Sequence, residues 1–351
     1  MQKKIATLAL AVAAALSTSG AYSQVNLTAE TAGPGTVVHL APTSLVEYAA
    51  ERGIANIQLK DGQTTTDYLL AMAEGKTDIA SGPFILPFLL SRGAGPYANI
   101  GSEQGGELAA NVRLLYPYTL GVFYLHAYDS KGISGWDDLA GRKILNGPPT
   151  GGATANSRNL IRIFAGLQPD TDYESVTVNW GQAAATVVDG TADAALIPEL
   201  FPSGRITQES AAGAMTAYSM PADIFESEDA RKLLNKPGSS AFEIPVSEVE
   251  AGLGDTWTVI SEDDTFRGMA VVGGDMVNAS MDDELAYQLA KAHIENIADI
   301  EAKAPFASYA NFGVLDPSVA GLCGANQVKF HAGAVRAWEE AGYTVPDCSK
   351  P

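Results

Sequence analysis

Cysteine is nearly absent from this sequence of 351 residues, which contains only Cys323 and Cys348. Two thiols cannot form a disulfide-rich scaffold, and the nearest histidine, His331, has no partner at the spacing of a zinc site. An even pair in an oxidising compartment favours one disulfide between these two residues, with two free thiols as the alternative.

Positive charge is also scarce, with 22 Lys and Arg against 41 Asp and Glu and a formal net charge of -19. Nucleic-acid-binding proteins need a basic face, and anionic lipid attracts basic segments, so the sequence argues against both as partners. A small anionic ligand stays possible, because a few local donors outweigh a diffuse field.

Sequence signatures of catalysis are missing. There is no G-x-S-x-G, H-E-x-x-H or Cys-x-x-Cys motif, and the four histidines are scattered singly. We therefore predict no metal, no cofactor and no enzymatic activity. Paired carboxylates need not be sequence neighbours, so enzymatic activity stays an alternative.

Long hydrophobic runs are lacking beyond the first residues, and no later run reaches the ~18 apolar residues that span a membrane. The chain begins with two lysines, an apolar stretch over 5–16 and the small-x-small sequence Ala21-Tyr22-Ser23. This pattern predicts a secretory signal peptide over 1–23 and a soluble mature protein in the periplasm.

A strand, a loop of glycine and threonine, and a helix follow one another in the middle of the chain. The apolar strand lies in 142–149 and the helical pattern in 155–164. The loop between them consists of Thr150, Gly151, Gly152, Ala153 and Thr154. The first turn of a helix has free N–H donors that favour an anion, so the loop predicts an anion pocket. The alternative is an ordinary turn that only caps the helix.

The same strand, loop and helix occur near the start, where the loop is 32–36. Strands and helices alternate from there, which predicts a mostly parallel sheet with helices on both faces. A helix end, Gly and a small-residue strand recur in 70–80 and 186–195, which indicates two similar lobes. Composition also predicts a polar loop over 101–106 and two separate strands, 113–118 and 121–128.

Several of these segments resemble a known family. The segment 131–142, KGISGWDDLAGR, resembles an element of periplasmic solute-binding proteins, and the loop at Thr150 resembles the binding loop of their second lobe. The loop 32–36, AGPGT, resembles the first loop of the TAXI group, which serves tripartite ATP-independent periplasmic (TRAP) transporters. The segment 330–342 is similar to the C-terminal element of that group, with Ala332 in place of proline.

The resemblance covers about 27–343 and implies a type II periplasmic-binding-protein fold, with two α/β lobes joined by hinge strands around a ligand cleft. Lobe 1 would comprise 24–120 and 220–351, and lobe 2 would comprise 121–219. The implied function is capture of a small organic anion, a carboxylate or an amino acid, by a monomer that delivers it to a TRAP membrane permease.

Ligands of such proteins bind where strand ends meet helix starts. Besides the loop 150–154, the expected ligand-binding residues are Gly33, Gly35, Thr36, Thr64, Thr65, Ser81, Gly82, Arg158, Trp180, Gln182 and Glu199. Two of these residues have alternatives. Arg158 also suits a solvated helix face, Trp180 also suits packing between the lobes, and Arg113 or Arg267 could replace Arg158 as the carboxylate clamp.

Two other functions fit the same fold. One is a binding protein of an ATP-driven importer for sulfonate-like anions, and the other is a sensor subunit that reports ligand binding to a membrane kinase. Gene neighbourhood would separate the first from a TRAP protein, because a permease with many membrane spans differs from an ATPase subunit.

Overall fold

The computed structural model describes residues 25–62, 64–149 and 151–351. The expected signal peptide over 1–23 and Thr150 of the central loop lie outside the described residues. Within the described part, no helix is both long enough and apolar enough to cross a membrane.

Twelve strands of the described residues are joined in one sheet. They are β1 (Val25–Glu30), β2 (Ala55–Lys60), β3 (Ile79–Pro83), β4 (Val112–Tyr128), β5 (Lys143–Gly147), β6 (Glu174–Thr177), β7 (Ala194–Glu199), β8 (Met215–Tyr218), β9 (Ser239–Pro245), β10 (Trp257–Ile260), β11 (Thr265–Asn278) and β12 (Lys329–Phe330).

The α-helices of the described residues lie between and beyond these strands. They are α1 (Val37–Glu51), α2 (Thr65–Ala73), α3 (Ile85–Arg92), α4 (Ser102–Ala110), α5 (Gly152–Phe164), α6 (Ala183–Val188), α7 (Gly204–Ser210), α8 (Ala222–Phe225), α9 (Glu228–Leu234), α10 (Val246–Leu253), α11 (Asp283–Ile294), α12 (Ile297–Ala302), α13 (Pro317–Ala320) and α14 (Ala332–Glu340).

The order of the strands confirms an α/β architecture with two lobes. The path through the sheet is β2-β1-β3-β11-β4-β7-β5-β6. Strands β1, β2 and β3 are parallel on one side, and β5, β6 and β7 are parallel on the other. Between them lie β11 and β4, which are antiparallel to each other and to their outer neighbours. Of the two proposed lobe boundaries, 120/121 falls within β4 and 219/220 falls just after β8.

Strand β4 passes from one lobe to the other without interruption. Its first part, 112–123, pairs with β11, and its last part, 122–128, pairs with β7 and β8. The prediction of two strands divided near residue 120 was therefore wrong. The register shifts there because Leu120 is an extra residue between Thr119 and Gly121, which is a β-bulge. A bulge bends a strand without ending it.

The predicted polar loop over 101–106 is also wrong, since helix α4 begins at Ser102. Three glycines give this segment the composition of a loop, but one of them serves close packing. A Cβ placed on Gly105 would lie 2.1 Å from the carbonyl oxygen of Leu90, in α3. Helices α3 and α4 therefore touch backbone to backbone, which only glycine permits.

Two hydrophobic clusters stabilise the fold. The larger one extends from lobe 1 into the side of lobe 2 where α6 and α7 lie, and it includes Leu114, Ile197 and Ile206. The smaller one covers the opposite face of the lobe 2 sheet, where Trp136 and Phe164 pack with their ring centroids 5.3 Å apart, and it also includes Phe225, Leu233 and Met269 from outside the proposed bounds of lobe 2. The sheet of lobe 2 is therefore covered on both faces, as a parallel sheet requires.

A disulfide joins Cys323 to Cys348, with their Cα atoms 5.5 Å apart. It links the C-terminal segment to the chain just after α13. Nearby, the ammonium group of Lys329 in β12 donates to the carbonyl oxygen of Cys348. The C-terminus is therefore held against lobe 1 by a covalent bond and by a hydrogen bond.

Candidate functional site

Four loops converge where strands of the two lobes end and helices begin. In lobe 1, β1 leads into α1 and β3 leads into α3. In lobe 2, β5 leads into α5 and β7 leads into α7. The N-caps of α1, α3 and α5 are Thr36, Phe84 and Gly151, and none of them makes a side-chain cap hydrogen bond. The first-turn N–H groups of these helices stay available as donors.

The two lobes touch at two pairs of these loops. Gly35, at a φ of 81°, lies against Gly204 at the start of α7, where a Cβ on Gly204 would lie 3.6 Å from the Cα of Gly35. On the other side, a Cβ on Gly152 would lie 3.9 Å from Cγ2 of Ile85. The first loop and the central loop therefore both face the opposite lobe across the cleft, as the sequence predicts for ligand-binding loops.

A cavity of about 20 Å³ lies between the lobes beside Gly35. Such a volume accommodates about one water molecule, so a larger ligand enters only when the lobes separate. The residues that line this cavity are Gly35, Thr36, Val37, Leu120, Pro198, Glu199, Leu200, Ser203, Arg205 and Phe306. Three of them, Gly35, Thr36 and Glu199, are among the predicted site residues.

Arg205 supplies the positive charge of this cavity. Its Nε donates to Oε1 of Glu199, and its Nη2 donates to the carbonyl oxygen of Pro198 at 3.3 Å. Its guanidinium carbon lies 4.9 Å from the ring centroid of Trp180, within the range of a cation–π interaction. A salt bridge on one side and an aromatic ring on another therefore hold the guanidinium in place.

Glu199 lies behind Arg205 and is 2% exposed. Its second oxygen accepts a hydrogen bond from the hydroxyl of Ser203, which also caps α7 by accepting from the N–H of Ile206 at 3.2 Å. The hydroxyl of Tyr124 is buried nearby, and burial followed by the charge of Glu199 raises the pKa of Tyr124 well above its ordinary value. Glu199 thus fixes both the guanidinium and the first turn of α7.

Threonine hydroxyls close the two glycine-containing loops. Thr36 donates to the carbonyl oxygen of Gly33 at 3.0 Å, and Thr154 donates to the carbonyl oxygen of Pro148. These bonds shape the loops and leave the hydroxyl oxygens as acceptors only, so the backbone N–H groups become the main donors to an anion. Ala153 is half-buried beside Thr154 and faces Gly147.

Ser81 and Gly82 do not line the cavity. Ser81 is fully buried, and its hydroxyl donates to Oδ1 of Asp275 at 2.6 Å. Gly82 pairs with Gly274 of β11, and its carbonyl oxygen would lie 2.1 Å from a Cβ on Gly273. Both residues support the contact of β3 with β11 at the end of the strand, one layer below the cleft.

The other predicted residues lie at the border of the cleft or outside it. Thr64 is the exposed N-cap of α2, Thr65 is half-buried in its first turn, and Gln182 is exposed before α6. Arg158 faces away from the cavity, because its Nε donates to Ser175 at 3.0 Å and its Nη2 lies 3.9 Å from Asp170.

The sequence-based site omitted Ser203, Arg205 and Phe306. A signal for the first two was present: the strand ending at Glu199 is followed by Ser203 as a helix N-cap, which again gives a strand, a loop and a helix. Phe306 comes from a short 3-10 segment, Pro305–Tyr309, more than a hundred residues further along the chain. No local pattern relates it to the cleft.

A model of the NMT1-like family matches residues 88–342, which is well over half of the sequence. The chain belongs to the NMT1-like family. The matched region contains the second lobe, both long central strands and most of the cavity lining, including Glu199 and Arg205. The glycine-containing first loop of this NMT1-like protein precedes the matched region. No curated protein matches the sequence.

Solved structures similar to this NMT1-like protein include three periplasmic binding proteins. A TRAP solute-binding protein of Chromohalobacter salexigens with bound (S)-(+)-2-amino-1-propanol is 13% identical over 90% of each chain, with a TM-score of 0.44. A TRAP protein of Ralstonia eutropha with bound (S)-2-acetolactate is 15% identical over 92% of this chain and 87% of its own, with a TM-score of 0.39.

The third is a putative sulfonate-binding protein of an ABC transporter from Methylobacillus flagellatus. It is 14% identical over 79% of this chain and 69% of its own, with a TM-score of 0.41. These identities and TM-scores are too low to transfer a ligand or a partner to this chain.

Proposed function

We propose that this NMT1-like protein captures a small organic anion, a carboxylate or an amino acid, in the cleft between its two lobes. The observation that carries the proposal is Arg205, whose guanidinium lines the interlobe cavity and is held by Glu199 and Trp180. A fixed guanidinium binds carboxylates with little loss of side-chain entropy, since its geometry is already set.

Lobe 1 completes the site from across the cleft. The first turn of α1, a helix of 15 residues, begins at Val37 beside the cavity and presents free N–H donors where the helix dipole favours negative charge. An anion between Arg205 and this helix start would contact both lobes at once. Its binding would therefore stabilise the closed arrangement relative to an open one.

The lobes would open and close about the central strands. We propose hinge positions near Gly121 in β4 and near Tyr218 at the end of β8. A Cβ on Gly121 would lie 3.1 Å from the carbonyl carbon of Pro198, so β4 touches the cavity wall at this point. Rotation of one lobe about this point would admit a ligand that the closed cavity excludes.

Delivery of the ligand to a TRAP membrane permease is the finer part of the proposal. It is supported by the resemblance of the loop 32–36 and of 330–342 to the TAXI group, together with the expected signal peptide and periplasmic location. We propose a monomer that binds its ligand without chemical turnover. The charged groups at the cavity, one Glu and one Arg, are bonded to each other, which suits binding better than proton transfer.

A thermal-shift screen over carboxylates, amino acids and sulfonates tests the binding function. A ligand at 100 times its Kd should add ~2.7 kcal/mol to the free energy of unfolding. We expect a shift with at least one carboxylate, and no shift with any acid would overturn the proposal. A response to sulfonates alone would favour the ABC-type importer, because Arg205 also suits a sulfonate.

The transport partner needs a separate observation. A gene for a permease with many membrane spans beside this gene would support a TRAP system, whereas an ATPase gene would refute that part. Conversion of a bound acid into a product would refute binding without turnover.

A further inference from the structure

The interlobe cavity contains one negative and one positive side chain. Of the ten residues that line it, only Glu199 and Arg205 carry charge. Arg205 is partly exposed, with 20% of its side chain accessible, whereas only 1% of the Glu199 side chain is accessible. A ligand therefore meets the guanidinium directly, with a carboxylate immediately behind it.

Glu199 cannot easily leave this position when a ligand arrives. One of its oxygens accepts from Arg205 in a partly buried bond, and the other accepts from Ser203 in a buried bond. Separating a buried charge from its partners is costly, so the ion pair persists when the ligand binds. The known contacts of Arg205 use Nε and Nη2, and its Nη1 carries two more N–H donors for a ligand oxygen.

A bound carboxylate makes the closed cavity negatively charged overall. With a ligand carboxylate on Arg205, two carboxylates share one guanidinium, and the start of α1 offsets roughly half a charge. A second ligand carboxylate would add another negative charge to a cavity closed to water, where like charges repel strongly. A group that is neutral or positive at the far end of the ligand adds no such repulsion.

We propose that Glu199 limits the charge of the ligand, so that the cleft selects acids with one carboxylate and rejects dicarboxylates. The preferred class is a monocarboxylate or an amino acid whose side chain is uncharged. This inference rests on the proposed function, since it concerns the same cavity and the same arginine. It assigns to Glu199 a role in specificity beyond holding Arg205 in place.

Pairs of acids that differ by one carboxylate test the inference by calorimetry. Suitable pairs are succinate with its monoamide succinamate, and L-glutamate with L-glutamine. We expect the wild-type protein to bind the monoamide of each pair about tenfold more tightly or better, as expected for one like-charge contact near a protein surface. Glu199→Gln keeps an acceptor for Arg205 and removes the charge, so it should abolish or reverse this preference.

A matched control is the exposed pair of Glu226 and Arg231, which has the same chemistry outside the cleft. Glu226→Gln should leave the preference unchanged. A merely structural role of Glu199 would weaken both members of each pair equally in Glu199→Gln, and that result would refute the inference. Wild-type protein that prefers the dicarboxylates would refute it while leaving the proposed function intact. If none of these four acids binds, the pair is built on whichever carboxylate shifts the midpoint in the thermal-shift screen. If no acid shifts it, the proposed function fails, and the inference fails with it.

Discussion

Tyr116 donates its hydroxyl to Oδ2 of Asp275 at 2.6 Å, below the floor of the cleft. The ring of the same tyrosine stacks on His293 with centroids 3.6 Å apart. Burial raises the pKa of Asp275 to about 6, although hydroxyl groups from Ser81, Tyr116 and Tyr118 oppose the shift. Burial also lowers the pKa of His293 to about 3. The two groups therefore change stability in opposite directions over the same pH interval.

Asp275→Asn should change the pH dependence of stability. The pKa of Asp275 in the folded protein lies above its ordinary value of 3.8. The stability that this carboxyl group contributes is therefore present below about pH 4 and is lost as the pH rises through about 6. Asparagine does not titrate. The free energy of unfolding of the variant, relative to that of the wild-type protein, should therefore rise by up to roughly 3 kcal/mol between about pH 4 and pH 7. Urea unfolding at several pH values measures this difference.

Asp263→Asn is the control for that experiment. Arg267 lowers the pKa of Asp263 to about 2, so this carboxylate is ionised in both states above about pH 5. The difference between this variant and the wild-type protein should be flat from about pH 5 to 7. A flat difference for Asp275→Asn as well would show that Asp275 does not titrate in this range.

His293→Phe should show the opposite slope. The pKa of His293 in the folded protein lies below its ordinary value of 6.5. The stability that this imidazole contributes is therefore present above about pH 6.5 and is lost as the pH falls towards 3. Phenylalanine keeps a ring against Tyr116 and cannot be protonated. The free energy of unfolding of the variant, relative to that of the wild-type protein, should therefore rise as the pH falls from about 6.5 to 4. Urea unfolding again measures this difference. A loss over that interval would contradict the assignment.

Arg205→Lys should reduce carboxylate affinity about tenfold or more. Lysine keeps a positive charge beside Glu199, but it lacks the planar fork that donates several bonds and stacks on Trp180. Calorimetry measures the affinity, and the thermal midpoint without ligand shows whether the fold is intact. Arg231→Lys, at the exposed pair with Glu226, is the matched control. Equal affinities in both variants would place the ligand away from Arg205.

Variants of the central loop should affect binding more than stability. Thr154→Ala removes the bond to the carbonyl of Pro148 that closes the loop, so we expect affinity to fall by ~1 kcal/mol or more. Gly152→Val should have a larger effect, because a branched side chain would press on Ile85 across the cleft. Calorimetry on both variants decides the point. Unchanged affinity in Gly152→Val would place the ligand elsewhere.

Removal of the disulfide should destabilise the protein without changing the binding site. Cys323 and Cys348 are separated by 25 positions, and a loop of that size corresponds to ~3 kcal/mol in chain-entropy models. The double variant with serine at both positions should show this loss in urea unfolding. A thiol assay on denatured, unreduced wild-type protein should find none, and two thiols per chain would contradict the bond.

The loops of the site could be predicted from the sequence because each is a local pattern. Gly35, Thr36, Gly152 and Glu199 all stand where an apolar strand gives way to a helix, and the structure brings those four positions to the interface of the lobes. The α/β class followed from the alternation of strands and helices, and the two lobes followed from the recurrence of 70–80 in 186–195 and from the family resemblance.

Arg205 escaped prediction for a physical reason. A cation in the first turn of a helix opposes the helix dipole, which makes such a position unattractive when the sequence is read alone. In the structure Glu199 compensates that cost, because the end of β7 and the first turn of α7 lie close enough for the two side chains to pair. Ser81 was misplaced for a related reason. A serine at a strand end suits a ligand or a buried partner equally, and only Asp275, 194 positions away, decides between them.

The bulge at Leu120 has a mechanical consequence. Strand β4 crosses between the lobes while it is hydrogen-bonded to β11 over 112–123, so this crossing is part of a two-stranded ribbon. Such a ribbon resists stretching but accepts twist, so a relative movement of the lobes about it would be mainly a rotation. Leu120 is both the extra residue of the ribbon and part of the cavity wall. A ligand that contacts Leu120 would therefore press on the axis of rotation itself.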